Sequence, residues 1–361
     1  MNAPRVVVGM SGGVDSSVAA ALLAAQGFEV IGVTMRLWTE TRPQELSGKQ
    51  QCCSVEDIDD ARRVAGQLGI RHYVMNFEER FRETVVDDFI AQYAAGRTPN
   101  PCVRCNEHIK YRALLDRLPA FDAEYIATGH YARVREGGGG RFELLRAVDG
   151  AKDQSYVLYM LQQEQLARLK LPVGELTKDE VRAEARRLGL DTAAKPDSFE
   201  ICFVPGNDYR AFMEQHATLA PGELRTPEGE VIGEHRGVAA YTIGQRKGLG
   251  IAVGEARYVT DIDPARNIVT IGPEEDLFAD TVEFAEARWT AGEPPAPGTA
   301  LQAKARYKAE PAAATLTEIE GDSGVVRFER RQRALTPGQT LALYDGEQLL
   351  GGGTITRARR S

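Results

Sequence analysis

RVVVGMSGGVDSSVAAALLAAQG, residues 5–27, decides the fold class. RVVVGM (5–10) is a short apolar run that reads as a buried strand. Residues 15–26 read as a helix, with Asp15 or Ser16 near its N-cap and Gly27 where a C′ glycine belongs. Between them, GMSGGVDSS (9–17) is a glycine turn at a strand end and a helix start. Successive backbone N–H groups in such a turn form an anion-binding concavity, and the helix dipole adds to it. Ser11 and Ser16 add hydroxyl donors. No Lys-Ser/Thr follows the glycines, so the loop is not a Walker A motif, and it is not G-x-G-x-x-G either. A tight βα turn that merely needs glycines fits these residues equally well.

Working outward, EVIGVTM (29–35) reads as a second strand, followed by a Thr/Gln/Ser/Gly-rich loop to about residue 53. Ser54 opens a helix as S-x-x-D, with Ile58, Ala61, Val64, Ala65 and Leu68 on one face. HYVMNF (72–77) is a third strand, helical patterns cover 79–95 and 107–118, and EYIAT (124–128) is a fourth strand. Strands alternating with helices predict a doubly wound parallel sheet with helices on both faces. Ligands of such sheets sit at the carboxyl ends of the strands, where Met10–Ser16, Met35 and Gly129 fall. TKDEVRAEARRLGL (177–190) is a helix with a Thr177/Glu180 capping box, Arg186 and Arg187 in its last turn, and Gly189 at its end. From about residue 206 the texture changes to short β-like runs broken by Gly and Pro. After about 280 the runs suggest a small β-barrel, with an Asp-Gly hairpin signal in YDGEQ and a turn-rich loop at GEPPAPGT (292–299).

A chain of 361 residues suggests two or three domains. The net charge of −8, from 44 basic and 52 acidic residues, argues against nonspecific coating of nucleic acid. Residues 301–361 nevertheless hold ten Lys/Arg against seven Asp/Glu, a local basic bias compatible with a specific RNA partner. No apolar run approaches the ~18 residues of a membrane helix, and the N-terminus lacks the pattern of a signal peptide, so a cytoplasmic protein without a membrane partner is expected.

The five cysteines are Cys52, Cys53, Cys102, Cys105 and Cys202. Cys102 and Cys105 form a C-x-x-C within TPNPCVRCN (98–106), a spacing shared by zinc half-sites, redox dithiols, cluster ligands and catalytic thiols. There is no second C-x-x-C and no His-x₃₋₅-His to complete a zinc site. T-P-N-P reads as a rigid extended loop, which suits presenting a thiol into a cleft. By composition alone, Cys202 in DSFEICFVPG reads as a core cysteine, and Cys52 and Cys53 read likewise.

The string SGGVDSS resembles the pyrophosphatase loop of enzymes that split ATP into AMP and pyrophosphate. GMSGGVDSSVAA, QCCSVEDIDDARRVAGQLGI, RTPNPCVRCN, IATGHYAR, KDQSYVLY, KPDSFEICFV, YTIGQRKGLG, ALTPGQTLALYDG and LGGG run in order from residue 9 to 353. Together they resemble the bacterial tRNA-specific 2-thiouridylases. That resemblance implies an ATP-pyrophosphatase catalytic domain over 1–205, a central β-rich domain over 206–280 and a tRNA-contacting β-barrel over 281–361. It implies 2-thiolation of the wobble uridine, using ATP, Mg2+ and a persulfide sulfur. The sulfur comes from a relay protein or a cysteine desulfurase, and the enzyme is expected to be a monomer.

The resemblance also implies residue roles. Cys202 carries the persulfide and Cys105 is its partner thiol. Gly9, Met10, Ser11, Gly12, Gly13, Val14, Asp15, Ser16, Met35 and Gly129 hold ATP, with Asp15 near the magnesium. Asn100, Pro101 and Cys102 touch the target base. His130, Lys152, Asp153, Gln154, Arg306, Tyr307 and Gln339 contact the tRNA. Many members carry Asp where this chain has Cys102, which leaves that thiol as spectator, proton handler or cluster ligand. The alternative to a persulfide is a [4Fe–4S] cluster on Cys102, Cys105 and Cys202, with sulfide on its open iron. FERRQRAL (328–335), RARR (357–360) and GQRKGLG (244–250) read either as RNA contacts or as solvated basic segments. His72, His216 and His235 show no partner pattern. Two competing classes remain: a small-molecule synthetase with the same ATP loop, and a non-catalytic RNA- or cluster-binding protein.

Overall fold

The computed structural model describes residues 3–38, 55–197, 201–250 and 255–360. Cys52, Cys53, Ser54 and the loop expected over 39–53 lie outside the described residues.

The first layer is a parallel five-stranded sheet of order β3-β2-β1-β4-β7. Its strands are β1 (Arg5–Gly9), β2 (Glu29–Arg36), β3 (Arg71–Asn76), β4 (Tyr125–Ala127) and β7 (Leu169–Lys170). The central strands are apolar without alternation because both faces are covered. Val6 and Val8 pack with α1 (Val14–Ala25), α2 (Val55–Leu68) and α5 (Lys178–Arg187). Val7, Ile31 and Val33 face the other way, toward Val103, Tyr111 and Leu114. β3 is an edge strand and is mostly open to solvent. The strand order reverses between β1 and β4, so the crevice between their carboxyl ends is the ligand position of a doubly wound sheet.

The capping box of α5 forms as expected: Glu180 N–H donates to Thr177 Oγ1 at 3.3 Å, and Thr177 N–H donates to Glu180 Oε2 at 2.7 Å. Two other helix readings need correction. The N-cap of α1 is Gly13 rather than Asp15 or Ser16. T-P-N-P is extended only as far as Asn100, and Pro101 already belongs to the helix that carries the C-x-x-C. Residues 101–113 form a helix, α4, built from an α-helical turn Pro101–Cys105 and a wider π-type stretch Asn106–Ala113. Asn100 is the extended residue before it (φ −109°, ψ 91°) and Pro101 occupies the first turn, where its missing N–H costs nothing. α3, residues 78–94, packs beside α4.

The hairpin of β5 (Ala132–Glu136) and β6 (Phe142–Arg146) leaves the parallel sheet and joins the barrel, where Leu144 and Leu145 pair with Leu349 and Gln348. The central region opens with a helix, α6 (Tyr209–His216), ahead of the expected strands. Its sheet has order β10-β11-β8-β9, from Tyr258–Asp263, Ile268–Gly272, Gly222–Arg225 and Val231–His235. The last region is a closed barrel of β12 (Phe278–Trp289), β13 (Thr299–Lys304), β14 (Ala312–Glu320), β15 (Ser323–Arg333), β16 (Thr340–Asp345) and β17 (Gln348–Arg359), sealed by the β12–β17 pairing. Asp345 pairs with Gln348 across the Gly346-Glu347 turn, as the YDGEQ signal suggested. Among the described residues, no helix is long and apolar enough to cross a membrane.

Candidate active site

The glycine loop follows β1 directly, and its shape is held by short local bonds. Ser11 N–H donates to Ser16 Oγ (3.1 Å), and Ser16 Oγ and Ser17 Oγ donate to Gly13 O (3.2 and 2.8 Å). Gly12 has φ +70°, and a Cβ there would lie 2.2 Å from the Asp57 carbonyl oxygen, so both conformation and space demand glycine. A Cβ on Gly129 would lie 2.6 Å from Ser16 N and from the Asp15 carbonyl carbon, so the loop rests directly on the end of β4. Met35 closes the same corner, its Cε 3.5 Å from a Cβ placed on Gly9. With Gly13 as N-cap, the start of α1 has no side-chain cap. The loop therefore presents backbone N–H groups and a positive helix end at the switch point of the sheet, an arrangement that accepts phosphate.

A charged network surrounds the loop, and most of its members escaped the sequence reading. Lys178 Nζ lies 2.8 and 2.9 Å from the Asp15 carboxylate oxygens and 2.7 Å from Asp197. Tyr131 OH donates to Asp15 Oδ1 at 2.8 Å. Asp197 also takes Lys152 (2.7 Å) and Arg182 (3.0 Å). Burial opposes its charge, but the lysine hydrogen bonds prevail and its carboxyl is pushed down to about 2. Lys195 Nζ meets Asp57 and Asp60, each at 2.6 Å, and donates to the Gly12 carbonyl at 3.1 Å. Burial disfavours the Lys195 charge, yet these carboxylates hold its pKa above the ordinary lysine value. One sequence signal pointed here. Lys178 is the first residue of a capped helix, where a cation opposes the macrodipole, so its presence called for nearby carboxylates.

The thiols lie on the other side of the sheet. Cys105 is buried in a cluster with Phe81, Phe89, Ile109, Phe203 and Phe212, and Cys202 is partly buried against the same cluster. Residues about a hundred positions apart are thus brought to one apolar site. Phe203 is its centre, edge-on to Phe81, Phe89 and Phe212 at 5.7, 5.1 and 5.5 Å. Cys102, one turn before Cys105, is exposed. All three thiols are described, yet among the described residues no group of three or more His, Cys, Asp or Glu is arranged to hold a metal ion. The cysteines as placed do not fit a cluster, and no step is derived through one.

The residues expected at tRNA fall into distinct settings. Tyr307 is exposed at its surface, and its hydroxyl pKa is raised, first by desolvation and then by nearby Cys102 and Asp153, with Lys152 and a hydrogen bond to Gln154 opposing. Asn100 lies beside the barrel corner, where Gln339 Nε2 donates to the Thr98 and Pro99 carbonyls (2.8 and 3.3 Å). Arg306 Nη2 donates to Ala334 O at 2.5 Å. Asp153 points inward, accepting from Ala147 N, Ser155 N and Ser155 Oγ. His130 is buried, its Nδ1 2.8 Å from Thr128 Oγ1 and 3.1 Å from Tyr111 OH, and burial pushes its pKa well below the ordinary value. Of the unassigned histidines, His72 Nε2 bonds Thr34 Oγ1 at 2.8 Å and His235 Nδ1 accepts from Gly237 N at 3.0 Å, both structural contacts.

Comparison with known proteins covers the chain from end to end. Three family models match: a tRNA methyl transferase HUP domain over residues 4–206, a tRNA methyl transferase PRC-barrel domain over 210–273 and an aminomethyltransferase beta-barrel domain over 279–355. A tRNA-specific 2-thiouridylase of Pelotomaculum thermopropionicum is 49% identical over 358 residues, 98% of each chain. One from a Thermoanaerobacter species is 48% identical over 99% of each chain. One from Geotalea uraniireducens is 49% identical over 98% of this chain and 95% of its own.

Proposed function

This chain belongs to the tRNA-specific 2-thiouridylase family, and from that membership we propose that it replaces the C2 oxygen of the tRNA wobble uridine with sulfur, consuming ATP. The C2 carbonyl of uracil is a poor electrophile with a very poor leaving group. The base oxygen, as N3–H is lost, attacks the α-phosphorus of ATP, and pyrophosphate departs. The oxygen is now part of AMP, which is a good leaving group. The glycine loop binds the pyrophosphate end through backbone N–H groups, and Lys178 and Lys195 bring positive charge to the same corner. Mg2+ needs only one or two protein carboxylates besides phosphate oxygens, and Asp15 supplies one at the loop.

Cys202 carries a persulfide received from a relay protein or a cysteine desulfurase. Its terminal sulfur attacks C2 and displaces AMP, leaving a Cys202–S–S–C2 adduct. The Cys105 thiolate attacks the Cys202 sulfur, which releases the 2-thiouridine and forms a Cys105–Cys202 disulfide, by ordinary thiol–disulfide exchange. A thiol reductant or the relay's own thiols reset the pair. The observation that supports this pathway is the apolar site shared by Cys105 and Cys202. The target uridine lies in a loop and can be splayed out at a cost of about a few kcal/mol. Asn100 and Cys102 are assigned to receive it, with buried Pro101 shaping the turn between them, and Gln154 and Tyr307 are assigned to contact the tRNA. His130 and Asp153, being buried, serve by holding that surface in shape. Arg306, Gln339 and Lys152 are assigned to contact the tRNA, and the enzyme works as a cytoplasmic monomer.

The test is reconstitution with a wobble-uridine tRNA, ATP, Mg2+ and a persulfide donor, reading 2-thiouridine by mass spectrometry. The expected result is 2-thiouridine, AMP and pyrophosphate in equal amounts. AMP formation that is independent of tRNA would favour the small-molecule synthetase reading instead.

A further inference from the structure

Between Cys102 and Cys105 stands Arg104, and it is gripped from outside its own domain. Its Nη2 lies 2.9 and 3.2 Å from the two carboxylate oxygens of Glu286 on β12 of the barrel. Glu107 (3.5 Å to Nη1) and Asp88 (3.6 Å to Nε) complete its surroundings. Glu286 is held in turn by Thr354 Oγ1 of β17 at 2.9 Å. Its backbone has φ +55°, the left-handed region, at a register break between Ala285 and Arg288.

Arg104 is only 23% exposed and is shared by three carboxylates, so its contact with Glu286 helps to offset the backbone cost of a non-glycine residue in the left-handed region. Bulges of this kind re-aim a side chain, and this one aims Glu286 at the cysteine turn. The barrel also grips the segment just before that turn. Thr98 N–H donates to Pro337 O at 2.8 Å, in addition to the Gln339 bonds to Thr98 and Pro99. The first turn of α4 is thus held by the barrel at both ends, around a cleft of about 210 Å³ lined by Asn100, Arg104, Glu286 and Thr354.

We propose that Glu286 is a positioning residue: from its bulge in the barrel it fixes, through Arg104, the helical turn that carries Cys102 and Cys105. The working geometry of these thiols then depends on a domain that contributes neither of them. The inference rests on the reading that these cysteines perform the sulfur chemistry.

Glu286→Gln, Arg104→Lys and the double variant test it, since a lysine cannot reproduce the spread of contacts a guanidinium makes. Each single change is expected to slow single-turnover thiolation roughly tenfold, as a small misplacement of a reacting group does. tRNA Kd should stay within about twofold, and the double variant should be no slower than the slower single, because both act through the Arg104–Glu286 contact. Iodoacetamide labelling, read by peptide mass spectrometry without tRNA or ATP, should show buried Cys105 reacting faster in each variant. Thiolation and labelling both matching wild type in the single variants, or penalties that multiply in the double, overturn the proposal. Wild type that makes no 2-thiouridine overturns the assigned reaction instead, and the labelling still reports on the positioning.

Discussion

The glycine loop and the cysteine turn are both short segments at the start of a helix, but they are held in place differently. The loop is fixed by its own backbone and serine hydroxyls, by the glycines that let it touch Asp57 and the end of β4, and by lysines paired to carboxylates. The cysteine turn draws its support from farther along the chain. Its buried thiol is fixed by an aromatic cluster drawn from α3, α4, the Cys202 segment and α6, and its arginine by the barrel. A phosphate site needs preorganised dipoles and gains little from mobility. A thiol proposed to attack a distant cysteine and pair with it is better carried by a segment whose position other elements control.

The largest effect expected is from Cys202→Ser and Cys105→Ser, each of which should abolish thiolation while leaving tRNA binding within a few-fold. Both are checked by 2-thiouridine analysis and filter binding. Retained activity in the Cys202→Ser protein would sink the persulfide assignment. Next comes Gly12→Ala, whose Cβ has no room beside Asp57. It should reduce tRNA-dependent AMP formation by about a hundredfold or more and leave iodoacetamide labelling of Cys105 unchanged, since the two regions are held independently. A change in labelling would show that they are coupled.

Lys178→Met should cost about 2 kcal/mol in a urea melt, below the ~3–5 kcal/mol of a fully buried broken pair, because Tyr131 still serves Asp15 and Lys152 still serves Asp197. It also has a pH signature. The Asp197 carboxyl has a folded pKa of about 2 against an ordinary 3.8, so its stabilisation is present above about pH 4 and is lost as pH falls toward 2. Removing Lys178 should raise that pKa and flatten the fall in Tm between pH 4 and 2. An unchanged slope would mean that Lys152 and Arg182 hold Asp197 alone. The smallest effect is expected from Cys102→Asp. The exposed position accepts a carboxylate without repacking, so aerobic activity should stay within a few-fold. Loss of activity together with loss of bound iron would revive the cluster.

Much of this was legible because it is local. Strand, glycine turn and helix follow one another within residues 5–27, and a parallel sheet followed from the alternation of such units. Two misreadings had local remedies. T-P-N-P reads as an extended loop, although Asn before Pro is also an N-cap followed by a first-turn residue, and tertiary packing of Val103, Cys105 and Ile109 decides for helix. The hairpin flanking Gly137–Gly140 has a local signal too, since ARVRE and FELLR stand on either side of four glycines.

The sequence by itself determined the phosphate loop, the order of strands and helices, the change to β structure in the second half and the family, because backbone propensity and motif spacing are written in consecutive residues. Tertiary structure decided which charges serve the loop, which thiol is buried and which is exposed, and that the barrel grips the cysteine turn. Those features depend on pairs such as Lys178 with Asp15, Cys202 with Cys105 and Arg104 with Glu286. Each pair is brought together only when burial of the common core has paid the entropy of closing the long chain segments between them.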